Sequence, residues 1–119
     1  MFDARKAIIC FQYVERIKSE LIIAAKLLGE IGELKGNEVA GARKVMSSLL
    51  DALHAETRMA QNVLGLRDFE EAALKLTEAA EKMRTEEYSE AIKRIAEAIS
   101  HVTTSGQKAM QTLKEKGLL

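Results

Sequence analysis

Residues 3–35 read DARKAIICFQYVERIKSELIIAAKLLGEIGELK, and this stretch decides the fold. Its apolar residues recur at alternating three- and four-residue steps, which is the spacing of one face of an α-helix. Polar residues are confined to a narrow stripe, so the apolar arc covers more than half of the circumference. A helix of this kind has to be covered on several sides, and we expect other helices to pack around it. The predicted seam consists of Ala7, Cys10, Val14, Ile17, Leu21, Ala24, Leu28 and Ile31.

The composition indicates a single helical domain over residues 1–119. Hydrophobic residues make up 47% and charged residues 30% of the chain, and proline is absent. Basic and acidic residues number 18 each and are interleaved, so we expect no nucleic-acid partner. Charged residues interrupt every window of the ~20 residues that a bilayer requires, so we expect no membrane span. A single cysteine and the lack of a leader sequence predict a cytoplasmic location.

Three further helices are predicted, over residues 38–64, residues 69–84 and from residue 86 onward. Gly36 and Gly65 mark the ends of the first two helices, and Thr85 caps the last. The predicted fold is all-α: a four-helix bundle-like domain of two antiparallel helical hairpins in which helix three is short. A run of poor helix formers over residues 100–106 favours a kink in helix four near Thr103 and Gly106.

Glu56 is a carboxylate within the predicted apolar seam of helix two, which consists of Ala42, Met46, Leu49, Leu53, Glu56, Ala60 and Val63. When helices one and two fold back on each other, Glu56 lies level with Ile17 and within one step of Lys18. We therefore predict a buried or half-buried ion pair between Lys18 and Glu56, which would help to fix which helices face each other. The functional alternative is a carboxylate that lines a polar cavity as an acid, a base or a ligand. Glu20 also enters the apolar arc and fits either arrangement.

The segment Glu30-Ile-Gly-Glu33-Leu resembles the first Glu-x-x-Glu motif of MazG-type nucleotide pyrophosphohydrolases. That resemblance implies carboxylates that hold Mg²⁺ against a triphosphate, with Glu30, Glu33 and Asp51 as the candidate metal ligands. The second motif, Glu-x-x-Asp, falls at Ser48-Leu-Leu-Asp51. Ser48 stands where the family has Glu, and this removes one oxygen ligand from a site that needs several.

The spacing of Arg94 and His101 resembles the Arg-x(4–6)-His motif of HEPN ribonucleases, which are dimeric helical bundles of similar size. This resemblance implies that Arg94 and His101 are catalytic and share one helix face. The sequence contains no glycine-rich phosphate loop, no Ser/His/Asp motif and no reactive cysteine setting. We expect no cofactor.

The favoured function is a non-catalytic structural or protein-interaction bundle that acts as a homo-oligomer. The alternative is a small all-helical hydrolase, either HEPN-like or a degraded MazG-like enzyme. Helix lengths predict a homodimer, because a short helix three leaves the tip of the first hairpin without cover and helix four overshoots. The residues expected to be uncovered are Leu27, Leu28, Ile31, Leu34, Val39, Val45, Met46 and Leu49 at the tip, and Val102, Ala109, Met110 and Leu113 in helix four.

Overall fold

The computed structural model describes residues 2–119, and over that range the chain forms four α-helices and no β-strand. The helices are α1 (Ala4–Ile31), α2 (Glu38–Leu64), α3 (Arg67–Arg84) and α4 (Tyr88–Glu115). They pack against one another in a body of 55 × 22 × 18 Å, so the predicted all-α class is confirmed. As expected, α3 is short, with 18 residues. Within the described residues, no helix has the length and apolar character needed to cross a membrane.

Local sequence sets where the helices begin and end. The Asp3 carboxylate accepts a hydrogen bond from the Lys6 backbone N–H at 2.8 Å and caps the start of α1. Gly36 and Gly65 have φ of 69° and 65°, in the left-handed region that glycine adopts without steric cost. Gly36 lies between α1 and α2, and Gly65 lies between α2 and α3.

Helix α4 runs along α1 in the opposite direction. Gly32 at the end of α1 lies beside Tyr88 at the start of α4, and Val14 lies against Gly106. A Cβ added to Gly106 would be 2.7 Å from Val14 Cγ1, so only glycine permits this approach of the two backbones. The pairing covers α1 on one side over most of its length.

Helix α4 is continuous from Tyr88 to Glu115, through the residues near Thr103 and Gly106 where a kink was predicted. The hydroxyl of Thr104 donates to the Ser100 carbonyl oxygen at 2.9 Å within the helix. Ser105 and Gly106 are buried against neighbouring helices. Tertiary packing therefore outweighs the low helix propensity of this run.

The predicted seam of α1 is confirmed, because all eight of its residues are buried. The buried residues of α2 match the predicted seam at every second position and are shifted by one residue at the positions between. Met46, Leu53 and Ala60 are buried as expected, but Leu50, Thr57 and Leu64 are buried in place of Leu49, Glu56 and Val63. Thr57 is tolerated in the core because its hydroxyl donates to the Leu53 carbonyl oxygen at 2.8 Å. Glu56 therefore lies at the edge of α2, toward α1.

Half of the residues expected to be uncovered are buried within the chain. At the hairpin tip Leu28, Ile31 and Met46 are buried, and Leu27 and Val45 are exposed. In α4, Val102, Ala109 and Leu113 are also buried. The prediction erred because it compared helix lengths alone, whereas α4 packs along α1 as far as Gly32 at the hairpin tip.

Candidate functional site

A polar cluster connects α3 and α4. The Ser105 hydroxyl donates to Asp68 Oδ2 at 2.7 Å, and His101 Nδ1 lies 3.7 Å from Asp68 Oδ1. The cluster opens into a cleft of about 450 Å³ that Arg67 and Lys108 also line. The sequence predicted no Ser/His/Asp motif, so its only predicted member is His101. The cluster follows from the packing of α3 against α4, which places Asp68 level with His101 and Ser105 of α4.

The order of groups in this cluster does not suit acyl transfer. In a Ser-His-Asp triad the histidine lies between the other two groups and takes the serine proton. Here Asp68 lies in the middle and itself accepts the hydrogen bond from Ser105, which is only 1% exposed. The arrangement therefore stabilises a buried hydroxyl and does not activate it.

Cys10 lies behind the cluster, with its Sγ 3.7 Å from the Ser105 carbonyl oxygen. Burial, with a smaller contribution from the negative charge of Asp68, raises the pKa of the Cys10 thiol to about 11. Because the thiolate is the nucleophile, a buried thiol with this pKa is unreactive near neutral pH. The prediction that the chain has no reactive cysteine setting agrees with this geometry.

Arg94 belongs to a separate ionic network between α3 and α4. Its guanidinium lies 3.2 Å from both Glu78 and Glu97, and Lys75 contacts the same two carboxylates at 3.4 and 3.6 Å. Burial raises the pKa of Glu97, but the hydrogen bond from Arg94 and the charges of Lys75 and Arg94 outweigh it, so that the pKa is lowered overall. Arg94 and His101 thus have different acidic partners, and the structure does not bring them into one cluster.

The predicted Mg²⁺ ligands lie apart. Glu30, Glu33 and Asp51 are all exposed. The ion pair between Arg16 and Glu56 fixes the register of α1 against α2, and it places Glu30 and Glu33 about 14–18 Å beyond Asp51 along the helix axis. Within residues 2–119, no group of three or more His, Cys, Asp or Glu side chains is arranged to hold a metal ion.

Glu56 pairs with Arg16 and not with Lys18. Arg16 Nε donates to Glu56 Oε1 at 2.8 Å, and the two side chains are 59% and 21% exposed, so the pair is not fully buried. Lys18 contacts Glu15 at 2.9 Å and lines a groove shared with α4. The predicted pair is therefore corrected: Lys18 matches Glu56 in height but points to the other side of α1.

Glu20 lies beside Glu56 and makes this cluster acidic. Its Oε1 is buried and has no hydrogen-bond partner among the described residues. Burial and the neighbouring Glu56 carboxyl raise the pKa of Glu20, and the charge of Arg16 opposes that shift. One guanidinium thus faces two carboxyl groups.

The exposed surface of the α1–α2 pair is mainly apolar on both sides of this acidic cluster. Val45, Val63, Met59, Ile23 and Leu27 are 71%, 59%, 57%, 56% and 41% exposed. We call this surface the α1–α2 face and define it by Ile9, Ile23, Leu27, Val45, Met59 and Val63. At the tip it includes a groove of about 320 Å³.

Two surfaces therefore differ from an ordinary solvated helix surface. The polar cleft at α3 and α4 is built from groups that already bond to one another, such as Ser105 and Asp68. The α1–α2 face consists of large apolar side chains in contact with water. Comparison with protein-family models, with curated proteins and with solved structures found no match to this chain.

Proposed function

We propose that this chain is a non-catalytic helical interaction module that acts as a homo-oligomer. Its four helices form a bundle of two antiparallel hairpins, and the α1–α2 face is the contact surface. The observation that carries the proposal is the exposure of five large apolar side chains on this one face. The apolar side chains lie on both sides of the Arg16–Glu56 pair, and burying them against a partner would stabilise an assembly by ~25 cal/mol per Å².

The chemistry of the other surfaces supports an interaction module over a hydrolase. Asp68 holds the Ser105 hydroxyl, and Glu78 and Glu97 hold the Arg94 guanidinium. A catalytic group needs a free lone pair, a free proton or an open ligand position, and these groups are engaged with protein partners.

Sedimentation equilibrium at micromolar concentration tests the proposal. We expect an assembly larger than the 13.2 kDa chain. Val45→Lys places a charge in the apolar groove at the tip of this face and should shift the equilibrium toward monomer by at least about tenfold in dissociation constant. Leu74→Lys is the matched control, because Leu74 is 51% exposed on α3, away from this face. A wild-type protein that sediments only as a monomer would contradict the proposal.

A further inference from the structure

Helix α2 presents an uncharged stripe to solvent. Its positions recur in alternating steps of four and three residues, which is the spacing at which one helix packs along another. All of them are exposed, and the two at the middle are alanines, so a second helix can approach closely there. The stripe consists of Gly41, Val45, Ser48, Ala52, Ala55 and Met59.

Asp51 and Arg58 lie along one rim of this stripe, seven residues apart and on the same side of the helix. Among the ion pairs of residues 2–119, none includes either side chain. When two copies of one helix pack antiparallel about a two-fold axis, the same rim of each copy faces the other. Asp51 of each copy then meets Arg58 of the other, and two identical ion pairs form.

This register also brings exposed apolar residues together. The contact between Arg16 and Glu56 fixes the height of α1 relative to α2, so pairing Asp51 with Arg58 determines which residues of the two copies are level. To within about one residue, the level pairs across the two copies are Ile23 with Met59, Leu27 with Val63, and Ile9 with Val45. The register set by the charged pair thus also brings exposed apolar residues of the two copies level with one another.

A rival register pairs Asp51 with Lys44 of the second copy, because Lys44 lies on the same rim seven residues earlier. That register shifts the two-fold axis toward the hairpin tip. Met59 and Val63 would then extend beyond the end of the second copy's α2 and remain in water. The register that pairs Asp51 with Arg58 buries Met59 and Val63, so it is the favoured one.

Building on the proposed function, we propose that the partner of the α1–α2 face is a second copy of this chain, docked antiparallel about a two-fold axis. The two α2 helices cross at Ala52 and Ala55, and Asp51 of each copy pairs with Arg58 of the other. Each copy thereby covers the exposed apolar residues of its partner.

Charge reversal tests the pairing. Asp51→Arg and Arg58→Asp each replace two attractive contacts by two repulsive ones, and each should raise the dimer dissociation constant by at least about tenfold. The double variant D51R/R58D restores both pairs and should dimerise like the wild type. An equimolar mixture of the two single variants should form a heterodimer, because every contact in it joins opposite charges. Lys44→Glu is the matched control and should change the dissociation constant less than about threefold.

A cross-link tests the register by distance. Ala55 lies next to its own copy at the proposed axis, whereas the two copies of Ser48 are separated by about 20 Å along the helices. Ala55→Cys should therefore cross-link under mild oxidation or with a short bismaleimide, and Ser48→Cys should not. Cys10 is buried and does not interfere.

The outcomes separate the two proposals. A wild-type protein that is monomeric throughout overturns the proposed function and this inference together. A wild-type dimer that persists in both single charge reversals and cross-links through Ser48→Cys overturns the register alone. A Lys44→Glu variant that loses the dimer assigns the rival register and equally overturns this one.

Discussion

The two sides of α1 differ in how completely the chain covers them. On the α4 side, Val14 contacts Gly106 and Cys10 contacts the Ser105 carbonyl oxygen, so the backbones approach closely, and the buried Tyr88 hydroxyl is the polar group that lacks a partner there among the described residues. On the α2 side, α1 packs more loosely, Glu20 keeps an unpaired oxygen, and Ile23 is exposed. The contrast shows that one side of α1 is completed by the chain itself. On the other side, the chain leaves apolar side chains such as Ile23 exposed to solvent.

Gly106→Ala is the substitution that should most damage the completed side. Its Cβ would be 2.7 Å from Val14 Cγ1, and a branched valine in a helix has little freedom to move away. We expect the free energy of unfolding to fall by about 1–3 kcal/mol in urea denaturation.

Gly29→Ala is the matched control, because a Cβ at Gly29 meets no atom within 4 Å. It should leave the protein as stable or increase its stability by up to about 1 kcal/mol through helix propensity. Adding Val14→Ala to Gly106→Ala should recover part of the loss. Equal effects of the two glycine substitutions would show that the α1–α4 contact is not as tight as described.

Asp68→Ala removes the partner of a buried hydroxyl on the same completed side. Ser105 would retain its proton without the acceptor at 2.7 Å, and an unsatisfied buried group costs about 1–3 kcal/mol. Ser105→Ala should cost less, because the partly exposed Asp68 carboxylate can bond to water instead. Unfolding of the two single variants and the double variant in urea measures the coupling energy. A coupling energy of zero would contradict the interaction.

The sequence predicted the α4 side of α1 better than the α2 side. Residues from Ala7 to Ile31 recur at helical spacing over many turns, so their burial follows from periodicity alone. The Glu56 pairing was wrong because Lys18 matches Glu56 in height but points to the α4 side of α1. Arg16 lies on the α2 side and pairs with Glu56 instead. The sequence predicted which residues of α1 and α2 lie level along the helix axis. It did not predict which way each side chain points around that axis.

The polar cleft was missed for a different reason. Asp68 and Ser105 are 37 residues apart, and their contact depends on how α3 and α4 pack. Neither residue lies in a motif that local spacing can reveal. The same limit explains why helix lengths did not reveal that the start of α4 lies beside the end of α1. Contacts between helices distant in the chain depend on shape complementarity, which periodicity does not specify.

Glu20→Gln should have the smallest effect on stability, and it tests the α2 side of α1. The raised pKa of Glu20 means that the fold favours the neutral carboxyl, so the stability from this group is present at low pH. That stability is lost as the pH rises through the raised pKa, because the carboxylate then forms beside Glu56. A neutral amide avoids this loss, so we expect Glu20→Gln to raise Tm by about 1–3 °C at pH 7 and to leave it unchanged near pH 4.

Glu15→Gln is the control for this substitution. Glu15 is exposed and contacts Lys18, so removing its charge should leave Tm unchanged or lower it slightly at pH 7. Thermal unfolding followed by circular dichroism at both pH values, at one fixed protein concentration, makes the comparison. If Glu20→Gln lowers Tm at pH 7, the Glu20 carboxylate stabilises the fold through its contact with Arg16. The Glu20 carboxylate would then belong to the ion pair of Arg16 and Glu56, and the exposed apolar side chains would be the main difference between the α2 side and the α4 side of α1.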